Sequence, residues 1–368
     1  MEHDILSLLN EDGTLSPGKQ CPLSADELRH LYRFMLMNRR VDERMITLQR
    51  QGRIGFYIGS IGEEAAIIGS AYALRPQDWI VPCYREVGAA FLRGFPLNRY
   101  INQLFGNAAD PLKGRQMPNH WADRERRLLS ISSPVGTQIP QAVGIAWAAK
   151  IRREDTCVLV YFGDGATSGA DFHVGMNFAG VFKAPVIFLC RNNQWAISMP
   201  RERQTASESM AVKANAYGFD AVRVDGNDLL AVYDTCRKAV DKVRSGGGPI
   251  LVEAVTYRQG AHSTSDDPRG YRADKEVEAW KRRDPIDRLR IYLEKAGVWE
   301  QSQETALQDR LQKEIAAAIR EGERLGSPPL ESLFEEVFAQ MPWHLQEQSR
   351  ETLSRRRCGT KDQRKELK

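Results

Sequence analysis

The sequence is poor in several of the features that would place it outside ordinary globular enzymes. Among its 368 residues no apolar run approaches the roughly 18–20 residues needed to cross a bilayer. Its six cysteines, Cys21, Cys83, Cys157, Cys190, Cys236 and Cys358, are scattered and contain no CxxC pair, which argues against a zinc ribbon or a thioredoxin-type site. Cys157 and Cys190 sit inside apolar runs and read as reduced core residues, the pattern of a reducing cytosol. Charge of one sign is also scarce. The excess is only +4, so net charge gives no support to nucleic-acid binding. The first residues, MEHDILSLLNEDG, lack the basic start and long apolar stretch of a signal peptide and the arginines of a transit peptide, so the expected location is cytoplasmic. Neither an internal repeat nor a low-complexity block is visible.

What is present is a hydrophobic content of 42%, enough for a substantial core, on a length that suits two or three domains or one large α/β domain with appendages. Residues 1–23 read as an extended arm broken by Gly13, Pro17, Gly18 and Pro22. Ser24 and Glu27 form a capping box for a helix carrying Leu28, Leu31, Met35, Val41, Met45 and Leu48 at helical spacing. A second helix is expected over Glu63–Leu74, a short strand over 78–82, and a long polar loop over 107–127. Ile139–Arg152 and Asp171–Phe182 read as helices. Thr156–Phe162 and Pro185–Cys190 are unbroken apolar runs, as expected of parallel strands covered on both faces. Ala221–Val224, Leu229–Arg244 and Ile250–Thr256 continue the strand–helix–strand pattern. A polar loop, 259–273, leads into a helical C-terminal stretch broken at Pro285, Gly297 and Pro328-Pro329.

The strongest local signal is the strand VLVYF followed by GDGATSG and a helix. Ligands of open parallel sheets bind beyond the carboxyl ends of strands. Asp164 stands there, and the next strand ends in Arg191-Asn192-Asn193, so a carboxylate and an amide oxygen share one edge. Hard oxygen ligands of this kind suit Mg²⁺, which keeps part of its shell for phosphate oxygens and water. Gly163 and Gly165 let backbone approach a diphosphate, whose charge a helix N-terminus favours. Two plainer readings compete. Asp164 can be an N-cap on a glycine turn. The glycines can also belong to a dinucleotide fingerprint, although Ser168 replaces its third glycine and the next strand lacks the acidic residue.

The span GDGATSGADFHVGMNFAGVFKAPVIFLCRNNQWAIS resembles the thiamine diphosphate motif of the 2-oxo acid dehydrogenase complexes. With IGEEAAIIG, YREVGAAFLRGF, GRQMPNHW, SISSPVGTQIPQAVGIAWAAK, VRVDGND and HSTSDDPRGYR, the chain is similar over residues 24–345 to the alpha subunits of the branched-chain enzymes. The resemblance implies a thiamine diphosphate-binding fold: α/β, a parallel sheet flanked by helices, with a helical N-terminal arm and a helical C-terminal region. The implied division is 1–50 as arm and helix, 51–273 as the cofactor- and magnesium-binding domain, 274–345 as the helical C-terminal region and 346–368 as a charged tail. Asp164 and Asn193 become Mg²⁺ ligands, joined by the main-chain carbonyl of Trp195, a position often occupied by Tyr. Tyr84, Arg85, Arg191 and Arg258 would hold the diphosphate, for which forked guanidinium donors are suited. Ser133, Val135, Gly163, Gly165 and Ala166 would touch the cofactor. Ser132, Pro134, Thr137 and Gln138 match a potassium site, while the local alternative is a helix entry capped by Ser132-Ser133 with Pro134 in the first turn. Gly136 replaces a commoner Ala, and Cys83 a polar residue of some relatives.

His262 would be the catalytic acid/base and a cofactor contact. A neutral imidazole can both give and take a proton. The family often has two adjacent histidines here, whereas this chain has Ala261 first. A metal site from His262, Asp266 and Asp267 is the competing idea for this loop. His3, His30, His120, His173 and His344 read as packing or surface residues. Ser263 matches a regulatory phosphorylation site, and Ala273 replaces a second one. The implied reaction is oxidative decarboxylation of branched 2-oxo acids, with acyl transfer to the lipoyl arm of an acyltransferase core. A separate beta subunit would complete the cofactor site in a two-alpha, two-beta heterotetramer, without nucleic acid or membrane. The alternatives are a pyruvate or acetoin dehydrogenase alpha subunit, an NAD-dependent oxidoreductase, and a non-catalytic regulatory subunit.

Overall fold

The computed structural model describes residues 4–335 and 337–363, with side chains through residue 355. His3, Cys358 and the end of the charged tail lie outside the described residues and side chains. The chain opens with a two-residue strand, β1 (Ile5–Leu6), where sequence alone suggests only an extended arm. The arm is held from outside itself. Asp228 Oδ2 accepts the Leu8 and Leu9 N–H groups at 2.6 and 2.7 Å, and Arg288, paired to Asp225 at 2.7 Å, donates to the Asn10 carbonyl. The contacts to the arm span more than 200 residues, which local periodicity cannot report.

Helix α1 (Ala25–Arg50) starts at the expected capping box: Glu27 Oε2 accepts the Ser24 N–H at 2.8 Å, and Ser24 Oγ accepts the Glu27 N–H. Its predicted apolar stripe from Leu28 to Leu48 is buried. Then follow α2 (Glu64–Tyr72), β2 (Trp79–Val81), α3 (Val87–Leu92) and α4 (Leu97–Phe105). The last two helices are not among the expected elements, although Leu97, Tyr100, Ile101, Leu104 and Phe105 recur at helical spacing along α4. Helix α5 (Gln138–Ile151) begins four residues later than a Pro134 entry requires. Gly136 takes φ +93°, which turns the chain out of the helical path, and the actual N-cap, Thr137, makes no side-chain capping bond. The Ser132-Ser133 cap is therefore not formed.

Strand β3 (Val158–Gly163) passes through a 3₁₀ turn, Asp164–Ser168, into α6 (Ala170–Phe182), and β4 (Val186–Asn192) follows. A small hairpin, β5 (Trp195–Ala196) and β6 (Met199–Pro200), leads to the short α7 (Arg201–Gln204). The chain then runs through β7 (Asp220–Asp225), α8 (Leu229–Arg244) and β8 (Ile250–Val255). Helices α9 (Asp274–Lys281), α10 (Pro285–Lys295), α11 (Gln301–Arg324) and α12 (Trp343–Gln363) complete it.

The main sheet has the order β1-β7-β8-β4-β3-β2, and every pairing is parallel. Side chains of β3 and β4 alternate between two cores. Leu159, Tyr161, Ile187 and Leu189 pack toward α1, α2 and α8, while Val158, Val160, Phe162, Val186 and Phe188 pack toward α5 and α6. Successive residues of a strand point to opposite faces, so a sheet covered twice needs apolar residues at every position. The register pairs Gly163 with Arg191, which brings the residues that follow β3 and β4 to one edge.

Candidate active site

That edge opens into a cavity of about 440 Å³. It is lined by Tyr84, Arg85, Ser133, Val135, Gly163, Asp164, Gly165, Ala166, Arg191, Asn193, Trp195 and His262, together with Phe56, Ile58, Cys83, Met117, His120, Ala196 and Ile197. Gly165 is required by close approach: a Cβ there would lie 2.8 Å from that of Ala196.

Asp164 leaves β3 in the 3₁₀ turn and does not cap a helix, because the turn's N-cap is Gly163. Its side chain is 1% exposed, and neither carboxylate oxygen has a hydrogen-bond partner. Burial, reinforced by the Glu63 carboxylate, pushes its pKa up to about 6. An ionised carboxylate left bare in a dry site is costly unless a cation joins it. Asn193, 5% exposed, donates from Nδ2 to Glu63 Oε1 at 3.0 Å and accepts the Trp195 N–H at Oδ1, 3.3 Å away. One carboxylate, one amide oxygen and the neighbouring Trp195 carbonyl make a donor set that fits Mg²⁺ and leaves positions for phosphate. The carbonyl already accepts from Arg258 Nη1 at 3.3 Å. Helix α6 starts only at Ala170, so the 3₁₀ turn, not that helix N-terminus, faces the cavity.

The arginines are differently placed from one another. Arg191 is 2% exposed and clamped between Glu63 and Glu86. Arg85 donates to the Gly59 carbonyl and to the carbonyl and Nδ1 of His262, at 2.9 and 3.1 Å for the last two. Arg258 does not line this cavity. It braces the hairpin through the Ile197 carbonyl at 2.7 Å and Tyr271 Oη at 3.0 Å, and it lines a smaller cavity of about 260 Å³ behind the histidine loop. The Tyr84 ring stands edge-on to His262, 6.4 Å between centroids.

His262 is half-buried, and its loop is pinned. Its N–H donates to Asp266 Oδ2 at 2.7 Å, the same oxygen accepts Tyr271 Oη–H at 2.6 Å, and Thr264 exchanges hydrogen bonds with the Tyr57 backbone. Asp266 and Asp267 are used in the loop itself, Asp267 by Arg269 at 2.6 Å. Among the described residues no group of three or more His, Cys, Asp or Glu could hold a metal ion. Burial, then Arg85 and Arg258, lower the His262 pKa to about 3. A guanidinium can only donate, so Nδ1 is the acceptor and the neutral ring carries its proton on Nε2.

Sequence reasoning passed over His120. It is 7% exposed, lines the cavity and bonds Ser133 Oγ through Nε2 at 2.6 Å. Its place inside the GRQMPNHW segment was the available signal. His173, by contrast, is exposed on α6 beside Tyr217. Of the four potassium-site residues none lines the cavity. Thr137 Oγ1 donates to Asp171 at 3.3 Å, and Gln138 donates to the Tyr161 carbonyl at 2.8 Å, leaving its buried Oε1 without a partner.

The sequence matches the family model described as "Dehydrogenase E1 component" over residues 32–331. It is 44% identical over 343 residues to "2-oxoisovalerate dehydrogenase subunit alpha 1, mitochondrial" of Arabidopsis thaliana, covering 93% of this chain and 73% of that protein. It is 42% identical over 342 residues to the mouse (Mus musculus) protein "2-oxoisovalerate dehydrogenase subunit alpha, mitochondrial", covering 93% and 77%. The Caenorhabditis elegans protein of that name is 44% identical over 320 residues, covering 86% and 74%.

Proposed function

The chain belongs to the dehydrogenase E1 component family, and on that footing we propose that it serves as the alpha subunit of a branched-chain 2-oxo acid dehydrogenase. The reaction is oxidative decarboxylation of a branched 2-oxo acid with transfer of the acyl group to lipoyl. The observation that carries the reading is Asp164: a buried carboxylate without a partner, beside Asn193, at the carboxyl ends of adjacent parallel strands. The broken dinucleotide pattern and the lone Asp–Asn pair disfavour a nicotinamide enzyme, and the assembled cavity disfavours a purely regulatory subunit.

When bound, thiamine diphosphate supplies the electron sink that decarboxylation of a 2-oxo acid requires. The chain's own residues do the rest. Asp164, Asn193 and the Trp195 carbonyl would hold Mg²⁺ and so neutralise diphosphate charge. Gly163, Gly165 and Ala166 offer close backbone, and Tyr84, Arg85 and Ser133 line the same cavity. Arg191 would contribute positive charge at the cavity wall without donating to the diphosphate directly, since both its terminal nitrogens are held by carboxylates. Arg258 acts by fixing the Trp195–Ile197 backbone. His262, neutral and held by Arg85, would serve as the acid/base in this cavity. The apolar wall of Phe56, Ile58, Met117, Val135 and Ile197 suits a branched acyl chain. A potassium ion at Ser132, Pro134, Thr137 and Gln138 is proposed on the bare Gln138 Oε1.

Residues 51–273 would carry the cofactor, and 1–50 and 274–345 would frame them, with the tail beyond. A beta subunit would complete the site in a two-alpha, two-beta assembly that feeds an acyltransferase core. No helix among the described residues is long and apolar enough to cross a membrane. The five cysteines described are free thiols, which fits a reducing compartment that we take to be the cytoplasm, and cell fractionation decides this against the mitochondrial location of the relatives. The functional test is turnover of the chain with its beta subunit over a panel of 2-oxo acids with thiamine diphosphate and Mg²⁺. Higher kcat/KM for 3-methyl-2-oxobutanoate than for pyruvate is expected; the reverse order rejects the branched-chain assignment.

A further inference from the structure

Glu63 lies outside the set of ligands considered above, yet it touches two of the residues that form the site. It is fully buried at the start of α2, where Gly62 takes φ +96° and where a Cβ would meet the Tyr257 carbonyl at 2.5 Å. One carboxylate oxygen accepts Asn193 Nδ2–H at 3.0 Å, and the other pairs with Arg191 Nη1. The far end of the same guanidinium pairs with Glu86, whose Oε2 also accepts the N–H groups of Cys83 and Arg85 at 2.8 and 3.1 Å. Glu63, Arg191 and Glu86 thus tie two cavity walls, the end of β4 and the turn between β2 and α3, to the start of α2 behind them.

We propose that Glu63 is a positioning residue for the cation, fixing the Asn193 amide with its oxygen toward the metal position; this rests on the assignment of Asp164 and Asn193 as ligands. An amide has two ends of nearly equal size and opposite hydrogen-bonding sense. A carboxylate can only accept, so Glu63 holds Nδ2 on its own side and turns Oδ1 away, toward the Trp195 N–H at 3.3 Å. Without that carboxylate the amide can rotate and present N–H groups to a cation, which loses a ligand and adds repulsion. Partners that orient metal ligands in this way typically contribute about 10–100-fold to metal affinity.

Glu63→Gln is the discriminating change. It is nearly isosteric, and Arg191 keeps Glu86, so no buried charge is stranded. Glutamine has one accepting oxygen for two donors. Arg191, the charged donor, takes it, which leaves the glutamine amide N–H₂ facing Asn193 and draws Asn193 Oδ1 toward position 63. The experiment titrates Mg²⁺ at fixed thiamine diphosphate in the alpha–beta assembly and follows cofactor binding by calorimetry. It is repeated at saturating Mg²⁺, and the thermal midpoint is measured without ligands. For Glu63→Gln the half-saturating Mg²⁺ should rise about tenfold or more, with cofactor affinity restored at saturating Mg²⁺ and the thermal midpoint unchanged. An unshifted Mg²⁺ titration overturns the proposal. So does a loss of cofactor affinity that Mg²⁺ cannot restore, since that marks a general packing defect. Asp164→Ala separates the two levels of the argument. If it shifts the titration while Glu63→Gln does not, only the role of Glu63 fails; if Asp164→Ala shifts nothing, the metal assignment fails and the proposal with it.

Discussion

Replacing Asp164 with alanine should make the ligand-free protein more stable while removing its response to magnesium. Both oxygens of this carboxylate are bare and the residue is 1% exposed. Burial, aided by Glu63, raises its pKa from 3.8 to about 6. The folded state therefore holds the proton more tightly than the unfolded chain does. The penalty is absent below about pH 4, grows as pH rises, and is complete above about pH 6. At 1.36 kcal/mol per pKa unit it reaches about 3 kcal/mol near neutrality. Alanine removes it, and the volume it vacates opens onto the cavity that the residue lines, which limits the packing loss that would offset the gain. The variant should exceed the parent by about 1–3 kcal/mol near pH 7.5 and match it near pH 4. Addition of thiamine diphosphate and Mg²⁺ should reverse the order, since ligand at about 1,000 times its Kd stabilises the parent by about 4.1 kcal/mol. Thermal unfolding of the assembly at both pH values, with and without ligands, measures all four quantities. A ligand-free variant less stable than the parent near pH 7.5, or equal ligand responses, refutes the reasoning.

His262→Ala should lower lipoyl acylation by about 10²–10⁴-fold while changing thiamine diphosphate affinity little; equal losses in both would make the histidine structural. Because burial, Arg85 and Arg258 lower its pKa to about 3, the His262 ring should stay neutral down to about pH 5. Stability on its account is present above the ordinary histidine pKa and is lost as pH falls toward 3, and an imidazole NMR titration with its midpoint near 6.5 would contradict this. The chain without a beta subunit should be inactive and self-associate, since Trp147 and Ile151 on α5 and Val174, Phe178 and Val181 on α6 are exposed; full turnover by the lone chain refutes it. Asp78→Ala leaves Arg244 only its exposed partner Asp155 and frees the Cys157 and Arg75 N–H groups, so urea unfolding should show a loss of about 1–3 kcal/mol; a loss below about 0.5 kcal/mol rejects the role of Asp78.

What was legible in the sequence is what depends on near neighbours along the chain. The Ser24–Glu27 box and the Leu28–Leu48 stripe define α1 because capping and helical periodicity operate within one or two turns. The apolar runs at 158–162 and 186–190 announce a sheet covered on both faces because every residue of such a strand meets a core. Asp164 and Asn193 could be placed at one edge because each follows a strand directly, and parallel pairing aligns strand ends. The remainder depended on which distant segments meet. Asp228 and Arg288 turn the N-terminal arm into an edge strand. Gly136 delays α5 through a single positive φ. His120 reaches the cavity only because its loop folds against Ser133. Glu63 and Glu86 are two acidic residues among 48 in the sequence. Their meaning comes from closing on opposite ends of Arg191, and charges 128 and 105 residues away from it become neighbours only when α2, α3 and β4 pack together. Short-range sterics and hydrogen bonding decide the elements, while buried ion pairs and amide orientation are settled only by the tertiary contacts that exclude water from them.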